Sequence, residues 1–342
     1  MIYWPSSLIW KSLMSFKLFR QLVSILSISL LVACVNTPQQ TGNHEMASPA
    51  ITQNINVAKQ TRILLVNTNQ KIDRYKTAEN AFIKTLGDHN LQIVDLGNDN
   101  YPIDTLQDLL NNQEFDAIYC IGAKALGSVD YIDPETPIIY SSVLNWRKFD
   151  TQQGRYNGIA SEVAPKAQLA WFKYFFPKIK KIGVFYSSEN VKRLQDATLT
   201  AKALSLELIT QEINSEIKLE QQANDLLAKV DVLWLISDPG VIASTDQTKD
   251  LFKLADQLET PIFTYHSFFM GMGATLSITA DLPTTGIQAA LMMKKILNQA
   301  DYKQAIQFPA GSSITLNIQK VEAYKLNLNQ NALDSVDELI EH

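Results

Sequence analysis

Cysteine, histidine and charge of one sign are what this sequence has little of. Its 342 residues include two cysteines, Cys34 and Cys120, and four histidines. His44 and His342 stand in the tails, so a histidine cluster for zinc cannot be assembled, and no metal site is expected. The 30 Lys and Arg against 35 Asp and Glu give a formal net charge of −5. No basic run stands out, which argues against a nucleic-acid partner. The sequence has no Gly-x-Ser-x-Gly elbow and no Gly-x-x-x-x-Gly-Lys-Ser/Thr loop. Gly271-Met272-Gly273 lacks the third glycine and the strand-to-helix setting of a dinucleotide site, and reads as a turn leading back to the first lobe defined below. Without a nucleophile–base set, no catalytic residue, no cofactor and no enzyme activity are expected. No apolar run reaches the roughly 20 residues that a membrane-spanning helix needs.

A shorter apolar run is present near the N-terminus. Lys17 and Arg20 precede Leu22–Leu30, and Leu31-Val32-Ala33-Cys34 follows. A basic flank, a short apolar core and small residues before a cut site make a secretory signal. A Cys directly after Leu-x-Ala resembles the lipobox of bacterial lipoproteins. That resemblance implies a signal peptide over 1–33, cleavage before Cys34, and lipid on its sulfur and amine. The partner is then a bilayer, held stably because two or more acyl chains each bury CH2 groups at about 0.8 kcal/mol apiece. Translation starts at Met1 or at Met14. Val35 stands where an Asp would mark inner-membrane retention in many Gram-negative lipoproteins, which leaves the outer membrane open as a destination. With Cys34 so used, Cys120 has no internal disulfide partner. It sits in the apolar run Ala117–Ile121 and reads as a small core residue.

Residues 34–60 are rich in Thr, Gln, Asn, Ser and Pro, too polar to bury a core, and read as a tether. From Arg62 onward apolar strands alternate with amphipathic helices, the pattern of parallel sheets covered on both faces. One series runs from Ile63-Leu64-Leu65-Val66 to Pro137-Ile138-Ile139-Tyr140. The pattern restarts at Ile182-Gly183-Val184-Phe185-Tyr186 and runs to Pro261-Ile262-Phe263. Two Rossmann-like α/β lobes are therefore predicted, joined by a hinge of several strands. The first takes residues 61–160 plus 277–312, and the second takes 161–276 plus 313–342. In open α/β sheets ligands sit beyond the carboxyl ends of the strands, so two facing lobes enclose one cleft, and hinge closure is the expected motion.

The chain resembles bacterial ABC-transporter substrate-binding proteins of the group that includes the tryptophan-binding TrpX type, with a type I periplasmic-binding-protein fold. The resemblance is carried by Phe175–Asn190, Val230–Leu235, Thr260-Pro261-Ile262-Phe263, Tyr156-Asn157-Gly158-Ile159 and Gly286-Ile287-Gln288-Ala289-Ala290. It implies capture of a small molecule, an aromatic amino acid among the candidates, on the periplasmic face of the envelope for an ABC permease. The alternative is a sensing module that reports ligand to a membrane receptor or kinase without transport. The resemblance also implies ligand loops at strand ends. These are Asn69 to Asp73, Gly122-Ala123-Lys124-Ala125 and Ser142 to Trp146 in the first lobe. In the second they are Ser187-Ser188-Glu189-Asn190, Ser237-Asp238-Pro239-Gly240 and Tyr265-His266-Ser267. The chain departs from the family's usual turns at Gly122-Ala123-Lys124, Val143-Leu144-Asn145 and Asp238-Pro239, so the ligand itself is left open.

Within those loops the residue chemistry suggests roles. Backbone amides at the start of a helix bind anions, and Ser187–Asn190 stands at such a start. Trp146, Tyr265 and Phe268 offer stacking surfaces. Lys124 favours an acidic ligand, whereas Asp238, with Asp73 as its rival, is the acid expected to pair with a ligand ammonium.

Overall fold

The computed structural model describes residues 61–98, 103–133, 135–144, 146–149, 156–214, 217, 219–299 and 306–341. The expected signal peptide, Cys34, the tether and Asn145 lie outside the described residues. The first series of elements is β1 (Arg62–Asn67), α1 (Asp73–Leu86), β2 (Asn90–Asp95), α2 (Ile103–Asn112), β3 (Ala117–Ile121), α3 (Ala123–Ile132), β4 (Ile138–Ser141) and β5 (Tyr156–Ile159). The second is α4 (Pro165–Phe175), β6 (Lys181–Tyr186), α5 (Val191–Ala203), β7 (Glu207–Glu212), α6 (Leu219–Leu227), β8 (Val232–Leu235), α7 (Thr245–Gln257) and β9 (Ile262–Thr264). β10 (Leu276–Ala280), α8 (Leu282–Asn298), β11 (Ile306–Gln307), β12 (Ser312–Asn317), α9 (Ile318–Ala323) and β13 (Glu338–Ile340) complete the order.

Two sheets result, ordered β11-β5-β4-β3-β1-β2 and β13-β12-β10-β9-β8-β6-β7. β3 shows why the apolar runs form buried strands. All five of its residues are buried. Ile118 and Cys120 pack with Leu64, Val66 and Tyr140 on one face, while Tyr119 and Ile121 pack with Ile63, Leu65 and Phe82 on the other. Side chains alternate faces along a strand, and a sheet covered on both sides needs both sets apolar. Each such side chain contributes about 1.5–3 kcal/mol on burial. The second sheet is covered likewise. Phe172 of α4 packs on Trp234 and Phe263 at 5.8 and 5.0 Å between ring centroids, and the Trp234 indole N–H donates to Gln168 Oε1 at 2.9 Å.

The chain passes between the sheets in three places: after β5, between β10 and α8, and between β11 and β12. α8 packs on α1 of the first lobe, where a Cβ on Gly286 would meet the Ala78 carbonyl oxygen at 2.2 Å. Only glycine allows that approach. The lobe boundary expected at 277 falls later, because β10 pairs with β9 and β12 and so belongs to the second sheet. β12 begins in that sheet at Ser312, one residue before the expected start. Gly273, at φ 98°, ends a 3-10 turn over Ser267–Met272 and leads into β10. The Gly271–Gly273 turn therefore stays in the second lobe. The sheets are parallel except for the antiparallel pair β10–β12. Residues 338–340 also pair as β13, an edge strand of three residues, too short for its apolar Leu339 and Ile340 to announce it.

Candidate functional site

The carboxyl ends of β4 and β9 and the crossings between the sheets surround a cavity of about 140 Å³. The first lobe supplies Arg74, Ser142 and Leu144, and the second supplies Tyr265, His266 and Ser267. Ala160, Ser161, Thr279 and Ala280 come from the crossings, and Leu282 and Thr285 from the first turn of α8. Ser142 follows β4 directly and has φ 56°. A non-glycine residue held there carries about 1–3 kcal/mol of strain, and it lies on the cavity wall.

A buried polar network holds the loop between β1 and α1. Asn67 and Glu79 are both fully buried. Asn67 Nδ2 donates to Glu79 Oε2 at 2.7 Å, and Asn67 Oδ1 accepts from the Asn69 amide. Glu79 also accepts from Gln70 Nε2 and from Lys76 Nζ. The network presents Arg74, the second residue of α1, to the cavity. Its Nη2 donates to Tyr75 Oη at 3.0 Å, and its guanidinium lies 4.6 Å from the Tyr75 ring centroid.

In the second lobe the same task falls to Asp238, which is 1 % exposed. Its Oδ2 accepts from the Ser187 amide at 2.7 Å and from Asn190 Nδ2 at 2.8 Å, and its Oδ1 accepts from Ser187 Oγ and the Gly240 amide. Each carboxylate oxygen thus takes two donors, and the carboxylate fastens the end of β6 to the end of β8; Asp238 does not line the cavity.

Beside the cavity, Glu162 joins the lobes. Its side chain is 1 % exposed. Oε1 accepts from Arg147 Nη2 at 2.6 Å and lies 3.6 Å from Arg193 Nη2. Oε2 accepts from Trp146 Nε1 and Ser161 Oγ, each at 3.0 Å. Burial pushes this carboxyl up, but Arg193, Arg147 and the hydrogen bonds outweigh it and hold it below the usual range. Burial brings the Arg193 guanidinium down to about 10, against the pull of Glu162. Arg193 Nη1 also reaches the Ser237 carbonyl at 3.3 Å. At the cavity wall, burial pushes the Tyr265 hydroxyl up. Burial, and then the charge of Arg74, pull the His266 imidazole down, while its Nδ1 accepts from the Phe268 amide at 3.1 Å.

Of the residues expected to bind ligand, Tyr265 and His266 line the cavity. Asp73 is exposed at the start of α1, and its neighbour Arg74 takes the place on the wall. Gly122 precedes α3 at φ 90°, where a Cβ would meet Thr68 Oγ1 at 2.5 Å, and Ala123 is exposed. Lys124 donates to the Leu96 carbonyl at 2.7 Å, so its ammonium holds a loop. Trp146 is 6 % exposed, with the Arg147 guanidinium over its ring at 4.3 Å; that face is closed to a ligand. Ser188 and Glu189 are exposed, while Ser187, Asn190 and Ser237 belong to the Asp238 and Arg193 contacts. Phe268 stands 62 % exposed off the cavity. Sequence reasoning missed Arg74, Glu162, Arg147 and Arg193. A basic residue in the first turn of the helix that follows each lobe's first strand was the available signal for two of them. Among the described residues no group of His, Cys, Asp and Glu is placed to hold a metal ion, and no helix is long and apolar enough to cross a membrane.

Comparison with known proteins agrees with this geometry. A family model described as ABC transporter substrate binding protein matches residues 123–339. A tyrosine-binding protein of Clostridioides difficile (strain R20291) is 22% identical over 294 residues, which is 81% of this chain and 82% of the relative. The structure resembles a ligand-free, open substrate-binding protein with adhesive properties from Clostridium difficile (TM-score 0.62, 18% identity, 82% of this chain and 99% of that one). It also resembles an ABC domain in complex with L-Trp from Streptococcus pneumonia (TM-score 0.54, 14% identity, 82% and 100%). These likenesses give the fold: two parallel-sheet α/β lobes of the type I periplasmic-binding-protein kind.

Proposed function

The chain belongs to the family of ABC transporter substrate-binding proteins, and on that premise we propose that it captures a small solute between its lobes outside the cytoplasm and hands it to an ABC importer, with an aromatic amino acid as the ligand class. The observation that carries this reading is a cavity walled from both lobes and from the crossings between them. A solute there contacts both lobes only when they are closed, so binding energy favours closure. Relatives described as tyrosine-binding or solved with L-Trp support the aromatic class, and Tyr265 on the wall supplies a ring to pack against. Lipid on Cys34 would keep the body at the membrane, next to a permease. The three crossings are the hinge.

A thermal-shift screen against amino acids, nucleosides and sugars tests the reading. A ligand at about 100 times its dissociation constant adds about 2.7 kcal/mol of stability. Stabilisation by tyrosine or tryptophan, with compaction in solution scattering, is expected. Stabilisation by sugars alone would refute the aromatic class, and stabilisation without compaction would refute closure.

A further inference from the structure

The charge lining the cavity is of one sign. Arg74 is the single Lys, Arg, Asp or Glu on the described wall, whose remaining residues are hydroxyl, apolar or His266. Among the described residues no carboxylate lies within 4.0 Å of Arg74, and the one hydrogen bond its guanidinium makes is to Tyr75 Oη. A guanidinium carries five N–H donors in a fixed fork, so most of this fork faces open space. The Tyr75 ring beneath it fixes its plane, which reduces what ordering costs on binding. The other acids nearby are committed. Glu162 is shared by Arg147, Arg193, Trp146 and Ser161, and Asp281 caps α8 by accepting from the Thr284 amide at 2.8 Å.

We infer that Arg74 is the anchor for the ligand's carboxylate, so that the cavity selects carboxylate-bearing solutes, and that the carboxylate rather than an ammonium fixes the ligand's orientation. The inference rests on the reading of this cavity as the solute site. A planar carboxylate matches the guanidinium fork with two parallel hydrogen bonds. An amine in the same place would meet a cation with no acid to offset it.

Calorimetry on the full chain tests this with matched probes: L-tyrosine against L-tyrosinamide, 3-(4-hydroxyphenyl)propanoate against tyramine, and L-leucine against L-leucinamide, with uridine and D-ribose as neutral solutes. Both phenolic acids should bind, and the amide and the amine should bind at least about tenfold more weakly. Arg74→Gln should weaken the acids by about ten- to hundredfold, the range for a lost hydrogen bond to a charged group. It should leave the melting point of the free protein unchanged, and Arg74→Lys should restore part of the affinity. Acid binding by Arg74→Gln within threefold of wild type, or amides binding as tightly as acids, would overturn the anchor while leaving solute capture intact. Leucine preferred over its amide, with the aromatic acids inert, would refute the aromatic class and uphold Arg74. Binding of uridine or ribose alone overturns Arg74, and binding of none of the probes overturns both readings.

Discussion

The two lobes solve one local problem in the same way and then diverge. Each must hold the loop after its first strand while that loop turns into a helix. The first lobe uses the buried Glu79, and the second uses the buried Asp238. Each loop then presents an arginine from the first turn of its helix, Arg74 on α1 and Arg193 on α5. The difference lies in what the arginines meet. Arg193 finds Glu162, a carboxylate on the crossing between lobes. Arg74 meets only the hydroxyl and ring of Tyr75. One cation is thus spent on joining the lobes, and the other is left facing the cavity. A repeated fold gives repeated positions, and the single partner on the crossing turns one of them into structure and the other into a site.

The largest expected effect comes from breaking what the lobes share. Asp238→Ala strips the acceptor from two backbone amides, a serine hydroxyl and an asparagine. Leaving several buried donors unsatisfied should cost about 3–5 kcal/mol in denaturant unfolding. A ligand-free Asp238→Ala protein as stable as wild type would show that the carboxylate is free for a ligand and that the parallel with Glu79 is false. Next comes the point where the lobes differ. Glu162→Gln removes the charge that Arg147 and Arg193 share and should cost about 2–3 kcal/mol. The sign with pH follows from the lowered carboxyl. Its contribution is full above the unfolded value near 4.3 and is lost as pH falls through the folded value, so the gap between wild type and Glu162→Gln should close in acid. A gap that persists at low pH would mean that packing, not charge, explains the loss.

Much of this was legible in the sequence, and the reason for the rest is physical. Both lobes and the succession of their strands along the chain follow from apolar runs such as Ile63–Val66 and Val232–Leu235, because burial on two faces forces unbroken apolar strands. β10 and β12 were visible as strands, but the sheet each joins was not, since partner choice depends on the returning chain. The strand-end loops were located, but what their charged residues hold was not legible. An acid just past a strand, such as Asp238, suits either a ligand ammonium or the amides of a tight turn, and only the folded arrangement separates the two uses. Glu162 gave no signal, because its partners Trp146, Arg147 and Arg193 come together only through the crossing.

The smallest expected effect sharpens the comparison by asking whether Arg74 really stands uncompensated in the cavity. His266 senses it. Its imidazole is held down by burial first and by Arg74 second, and its Nδ1 accepts the Phe268 amide, so the neutral form is favoured in the folded state. The unfolded chain, with a value near 6.5, then binds more protons. Stability is full above that pH and is lost as pH falls through the folded value. Between pH 7 and 5 the wild type should therefore lose stability. His266→Asn keeps an acceptor for the Phe268 amide and does not titrate, so it should flatten that slope. Arg74→Gln should flatten it in part, by removing the cation but not the burial. Proton NMR of the His266 ring gives the direct reading: its titration should move upward in Arg74→Gln, and upward again in wild type when an acidic ligand neutralises the guanidinium. A His266 titration indifferent to Arg74 would place the charge elsewhere, and the contrast between the two arginines would lose its consequence for the cavity.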